Sequence, residues 1–164
     1  MPLDRHLIVH LQEVYATETN YRDYLASRAD DIRDQQLKSA IRQQIDDIGD
    51  EIGNLQQCLS IFGLTPGENL TSPLVEAIKA SDAQTMQEIP NHTAGDMDAH
   101  LLLTDLSFGH LEVGMYQGML SMAQALNQKE VADLLKQNLE HEQRDIEEME
   151  DLLSDIVSLS RQVD

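Results

Sequence analysis

The stretch Ile41–Phe62, IRQQIDDIGDEIGNLQQCLSIF, decides the fold. Ile41, Ile45, Ile48, Ile52, Leu55, Leu59 and Phe62 recur at spacings of four and three, which lines them up on one face of an α-helix. A half-buried strand would need strict alternation, and the stretch has none. Gly63 follows at once and suits the left-handed residue that ends a helix, so a helix is expected over about 35–62.

The same stepping extends in both directions. Leu7, Leu11, Val14, Glu18, Tyr21 and Leu25 predict a helix over about 4–29. Leu101, Asp105, Phe108, Glu112, Met115, Met119, Met122 and Leu126 predict one over about 96–126. Leu135, Leu139, Glu142, Ile146, Met149, Leu153 and Ile156 predict the last, over about 128–160. The first two helices, and the last two, are joined by short connections and so form antiparallel hairpins. Between the hairpins lies a long connection over about 63–95, punctuated by Gly63-Leu64-Thr65-Pro66-Gly67, Ser72-Pro73 and Pro90-Asn91-His92, with a short helix expected at 74–79. The expectation is a single all-α domain over 1–164, a ferritin-like four-helix bundle whose two hairpins are joined by a long crossover.

Composition agrees. The chain has 164 residues and 18.5 kDa, enough for one continuous core, and aromatics make up only 4% of it. Leu, Ile, Ala and Met supply most of the apolar content, a balance that favours helix over sheet. Cys58 stands alone and has no internal disulfide partner, and the N-terminus lacks the charged start and apolar run of a signal peptide, so a cytoplasmic setting is expected. No apolar run nears the roughly 20 residues of a membrane span. A formal charge of −19 and a pI near 4.4 repel nucleic acid and anionic membranes while attracting cations. Most acids, Glu147, Glu148, Glu150 and Asp151 among them, are read as a solvated surface.

A shift of 94 residues lays the first hairpin on the second without a gap. Glu18 falls on Glu112, Ile41 on Leu135, Ile45 on Leu139, Ile52 on Ile146, Leu55 on Met149, Leu59 on Leu153 and Phe62 on Ile156. Side-chain class is kept, as an internal duplication with an approximate twofold axis would keep it.

Glu18, Glu112 and Glu142 interrupt three otherwise apolar seams. A buried carboxylate without a partner costs several kcal/mol, so it must be neutralised, paired or bound to a cation. The duplicate frame supplies neighbours: Asp47 falls on His141 and Glu51 on Asp145. Positions 51 and 145 lie about 60° round the helix from 48 and 142, and His141 about 100° from Glu142, toward the edge. Glutamates on two helices, with further ligand types on the other two, form the layout of a carboxylate-bridged two-metal site, the ligands being Glu18, Asp47, Glu51, Glu112, His141, Glu142 and Asp145. Ile48 stands where the last helix has Glu142, and Gln44 offers only a neutral oxygen.

A metal-free alternative stands beside this one, with Glu18, Glu112 and Glu142 protonated or hydrogen-bonded to Tyr15, Tyr116 and Gln44, and Asp47, Glu51 and Asp145 as marginal surface acids. His100 and His110 are expected on the surface, and His6 and His10 show no ligand spacing. The methionines, Tyr21 and Tyr116 are read as packing groups, and Cys58 as a buried, inert thiol. The chain has no phosphate loop, nucleophile elbow or Cys-x-x-Cys pair.

Leu11-Gln12-Glu13-Val14-Tyr15-Ala16-Thr17-Glu18, Leu37-Lys38-Ser39-Ala40, and Ala132 through Glu142 resemble the YciE/YciF-type, stress-associated branch of the ferritin-like proteins, and the resemblance spans all four helices. The family's Leu-x-x-x-Tyr-x-Ala-Glu motif matches at Leu11, Tyr15 and Glu18, with Thr17 in place of Ala. Its His-x-x-Glu reads Gln44 and Asp47 here, Glu112 is followed by Val113, Gly114 and Met115, and the crossover Cys and Met have no counterpart around Asn69 to Val75. The resemblance implies a bacterial, homodimeric four-helix bundle with a helical crossover, a metal-binding capacity and a role in stress. Two functional expectations follow: a di-iron or di-manganese protein with oxidase, ferroxidase or peroxide-scavenging chemistry, or a non-enzymatic homodimeric scaffold with a degenerate site.

Overall fold

A computed structural model of the chain describes residues 3–68, 70–88 and 93–160. Five helices account for nearly all of it: α1 Leu3–Ala29, α2 Gln35–Ile61, α3 Pro73–Glu88, α4 Ala94–Ala125 and α5 Lys129–Ser160. Among the described residues there is no strand, and no helix is long and apolar enough to cross a membrane. The expected turn residues Pro90, Asn91 and His92 lie outside the described residues.

Local chemistry sets the ends of the helices. Asp34 caps α2 by accepting a hydrogen bond from the Leu37 amide at 2.8 Å. At the other end Gly63 takes a φ of 71°, and the Gly63 and Leu64 amides return to the carbonyls of Ser60 and Leu59. That is a Schellman closure, for which glycine carries no Cβ penalty. Asn127, at φ 57°, closes α4 in the same way, with the Asn127 and Gln128 amides donating to Gln124 and Ala123. A capping box between Thr93 and Asp96 starts α4 at Ala94, two residues earlier than the hydrophobic stepping indicates.

The helices pack in a closed circuit: α1 lies against α2 and α4, and α5 against α4 and α2. Asp98 of α4 ties the turn between α1 and α2 by accepting from the backbone amides of Arg33 and Asp34, the latter at 2.7 Å. α3 rests on the outside, against α1 and α4. It runs for 16 residues, whereas a short helix over 74–79 was expected. The reason is polar: past Lys79 the helix shows no apolar seam, and the buried Asp82 anchors it through His100 at 2.7 Å and Arg28 at 3.8 Å. His100 is therefore half-buried beneath α3 instead of lying on the surface, while His110 is exposed.

Buried apolar residues form two clusters. One gathers Tyr21, Leu25, Ile41, Ile48, Phe108 and Ile146; the other gathers Leu7, Leu11, Leu55, Leu59, Tyr116 and Leu135. Glu18, Glu51, Glu112 and Glu142 fall between them on all four long helices, and all four are buried. Contact between the clusters passes through half-buried Tyr15 and Val113, which touch both.

A candidate metal centre between two apolar clusters

Glu18 of α1, Glu112 of α4 and Glu142 of α5 each bring a carboxylate oxygen within 4.8 Å of the other two. Each occupies a seam position, so its helix has no freedom to turn it outward without exposing the apolar residues a turn away. Glu51 of α2 is as buried as they are, with 0% exposure, which rules out a place on the surface. It lies on a ridge with Leu37, Gln44 and Cys58, seven residues apart, all buried. Because α2 packs against both α1 and α5, its buried arc is wide enough to take this second ridge as well as the seam.

His141 is half-buried at the rim of the group, with Nδ1 3.6 Å from Glu51 Oε1. Asp47 and Asp145 are half-buried further out, and Asp47 accepts a hydrogen bond from Gln43 at 3.1 Å. The innermost group therefore consists of Glu18, Glu112 and Glu142, with Glu51 equally buried on α2, while Asp47 and Asp145 are only half-buried.

Two tyrosines reach into this layer. Tyr116 donates to Glu18 Oε1 at 2.6 Å, and Asn138 holds that tyrosine by donating to its hydroxyl at 3.2 Å and to the Glu51 carbonyl at 3.1 Å. Tyr21 donates to Asp105 at 2.7 Å, and Gln44 donates to the same oxygen at 3.1 Å. The tyrosines are thus hydrogen-bond donors to buried acids as well as packing groups. Gln44 serves Asp105 instead of a glutamate, and Tyr15 accepts from Gln56 away from the layer. Removing the Tyr116 hydroxyl should leave Glu18 and Asn138 both short of a partner. Tyr116→Phe is expected to cost about 1–3 kcal/mol in chemical denaturation, and a loss near zero would mean that this bond does not order Glu18.

Burial dominates the electrostatics. It pushes Glu18 up to about 7, against the pull of the Tyr116 bond, and Asp105 up to about 6, against the bonds from Tyr21 and Gln44. Glu51, Glu112 and Glu142 are raised well above the ordinary carboxylate range, by burial first and then by neighbouring charge, that of Glu18 on Glu51 and Glu142 and that of Glu142 on Glu112. Glu18 Oε2, both Glu51 oxygens, Glu112 Oε1, Glu142 Oε2 and His141 Nδ1 are buried without a hydrogen-bond partner. So many orphaned acceptors at one level need protons or cations. Gly109 of α4 keeps space beside them, since a Cβ there would stand 3.1 Å from Ile146 and 3.8 Å from Glu142 Oε2. An oxygen-rich set with one imidazole matches iron and manganese in ligand type, so the residues fit such a group.

Cys58 is buried, and its thiol is pushed up to about 12 by that burial, which leaves it unreactive.

The architecture defines an all-helical protein with a carboxylate layer at its centre. The chain belongs to the family described as "Domain of unknown function (DUF892)", which it matches over residues 2–161. The fold is that of the Escherichia coli stress protein YciF, with a TM-score of 0.85 at 19% identity over 96% of this chain and 99% of that one. YcfI of Rhodopseudomonas palustris superposes at 0.84 with 17% identity over 92% and 94%. A protein of Xanthomonas campestris pv. campestris superposes at 0.69 with 21% identity over 98% of both chains. These matches agree with the YciE/YciF-type resemblance read from the sequence. No curated protein matches the chain.

Proposed function

We propose that the protein is a ferritin-like four-helix bundle of two duplicated hairpins that holds a dinuclear iron or manganese centre, acting as a cytoplasmic homodimer in stress protection. The reading rests on one observation above all: carboxylate oxygens of Glu18, Glu112 and Glu142, from three helices, lie within 4.8 Å of one another in a buried layer, and the oxygens of Glu51 on the fourth long helix are buried without a hydrogen-bond partner. Glu18, Glu112 and Glu142 would hold the first ion, and Glu51, Glu142 and His141 the second. Tyr116 and Asn138 keep Glu18 turned so that Oε2 stays free. The apolar clusters on either side keep bulk water away from the acids. Such a metal pair supplies one-electron oxidation and reduction, the basis of ferroxidase and peroxide-scavenging chemistry. The likeness in fold to a stress protein supports the physiological setting.

A second reading has Ile48 in its favour, because the helix α2 half lacks the counterpart of Glu142 and carries no histidine. In it the protein is a non-enzymatic homodimeric scaffold whose glutamates stay protonated. Loading the chelated protein with iron(II) or manganese(II), followed by desalting and elemental analysis, separates the two. About two ions per chain supports the metal protein, and a trace amount supports the scaffold.

A further inference from the structure

Glu147, Glu148, Asp151 and Asp155 of α5 line a surface groove of about 850 Å³ between α2 and α5, which reaches Gln43 on the α2 side. Gln43 in turn hydrogen-bonds Asp47 at 3.1 Å. Asp47 and Asp145 form the next step inward. They are close enough that the charge of Asp47, after burial, helps push Asp145 up to about 7. Glu51 lies one turn past Asp47 on α2 and Glu142 one turn before Asp145 on α5, both with buried, unpartnered oxygens, and the charge of Asp145 acts on both. Burial thus increases from exposed to half-buried to complete along a line of acids that leads from the groove to the layer.

We propose that this line is the route by which divalent cations reach the buried glutamates, with Asp47 and Asp145 as a transient inlet and not as ligands of the resident ions. The inference rests on the metal-binding reading above. Graded negative charge with low-dielectric walls draws cations in and raises their rate of capture. The half-buried pair replaces part of an ion's water before the dry layer removes the rest. Arg144, which lines the same groove and opposes the charge of Asp145, is the one basic group on this path among the described residues. It sets the inlet's threshold.

Stopped-flow uptake of cobalt(II) by the metal-free full chain, read by visible absorbance, tests the route. Asp47→Asn with Asp145→Asn should slow uptake about tenfold or more while the final stoichiometry stays at the wild-type value. Arg144→Glu should speed it, a gain that misfolding cannot produce. Glu13→Gln with Asp23→Asn, an equal loss of charge on exposed positions of α1, should leave the rate unchanged. The inlet is overturned if the Asp47/Asp145 variant loads at the wild-type rate, if it loses stoichiometry and so marks the pair as ligands, or if the α1 control slows uptake equally. In each of those cases the metal-binding reading stands. Failure of wild-type protein to bind cobalt(II) would overturn both.

Discussion

Chelated protein should unfold at a falling temperature as the pH is raised from about 5 to 8, and manganese(II) or iron(II) should reverse the trend. The sign follows from the buried acids. Glu18 is held near 7 against an ordinary 4.5, and Asp105 near 6 against 3.8. In the unfolded chain these groups release their protons first, so across this window the native state holds protons that the unfolded state has lost. Rising pH therefore favours unfolding. For these two groups the stability that depends on a neutral carboxyl is complete below about pH 4 and gone above about pH 7. For Glu18 alone its loss should amount to roughly 3 kcal/mol, or on the order of 10 °C in Tm. A cation takes the place of the protons, and at a hundredfold excess over its Kd it returns about 2.7 kcal/mol. Thermal unfolding at several pH values, with chelator and with metal, checks both halves. A flat or rising Tm in chelator would mean that the acids are not held neutral by burial.

The second large effect concerns the acids themselves. Glu112→Leu combined with Glu142→Leu should stabilise the chelated protein at neutral pH by about 1–4 kcal/mol, because similar apolar volume replaces two polar groups whose burial is costly. Neither residue accepts the Tyr116 bond, so that tyrosine keeps its acceptor Glu18. The same variant should gain nothing from added metal, whereas wild type gains. Urea denaturation with and without manganese(II) reads both numbers. Destabilisation in chelator would show that the glutamates contribute to the metal-free fold, and an undiminished response to metal would move the ions elsewhere.

Much of this was legible in the amino-acid order, and the parts that were not share a cause. Helices that bury a single seam announce themselves by spacing, which is why α1, α2, α4 and α5 agree with the expected bounds to within about two residues at each end. Glu18, Glu112 and Glu142 stand on those seams and were therefore visible as core acids. Glu51 entered only through the duplicate frame, as a ligand at the seam's margin with a surface place as the alternative, because it stands off the seam of α2. Its ridge carries Gln44 and Glu51 among apolar residues, too mixed to register as a hydrophobic period. The duplicate frame did hold a signal, since it pairs Gln44 with Asn138, two amides that both prove buried and hydrogen-bonded to the acid and tyrosine network. Asp105 lay on its seam in plain view, but its partners Tyr21 and Gln44 come from two other helices and are joined only by tertiary packing. α3 went short for a related reason: Asp82, His100 and Arg28 hold it, and three polar residues far apart in the chain leave no periodic trace.

The separation of the apolar interior into two clusters has a consequence for how the molecule comes apart. Every long helix passes through both clusters, yet between them the packing is apolar only at the rim, through Tyr15 and Val113, while the middle is a sheet of like charges or shared protons. Cooperativity across that middle is carried by Tyr116 and Asn138, whose hydrogen bonds join α1, α2, α4 and α5. The interior is thus two packed units stacked end to end, and whatever neutralises the acids should set whether they open together or one at a time.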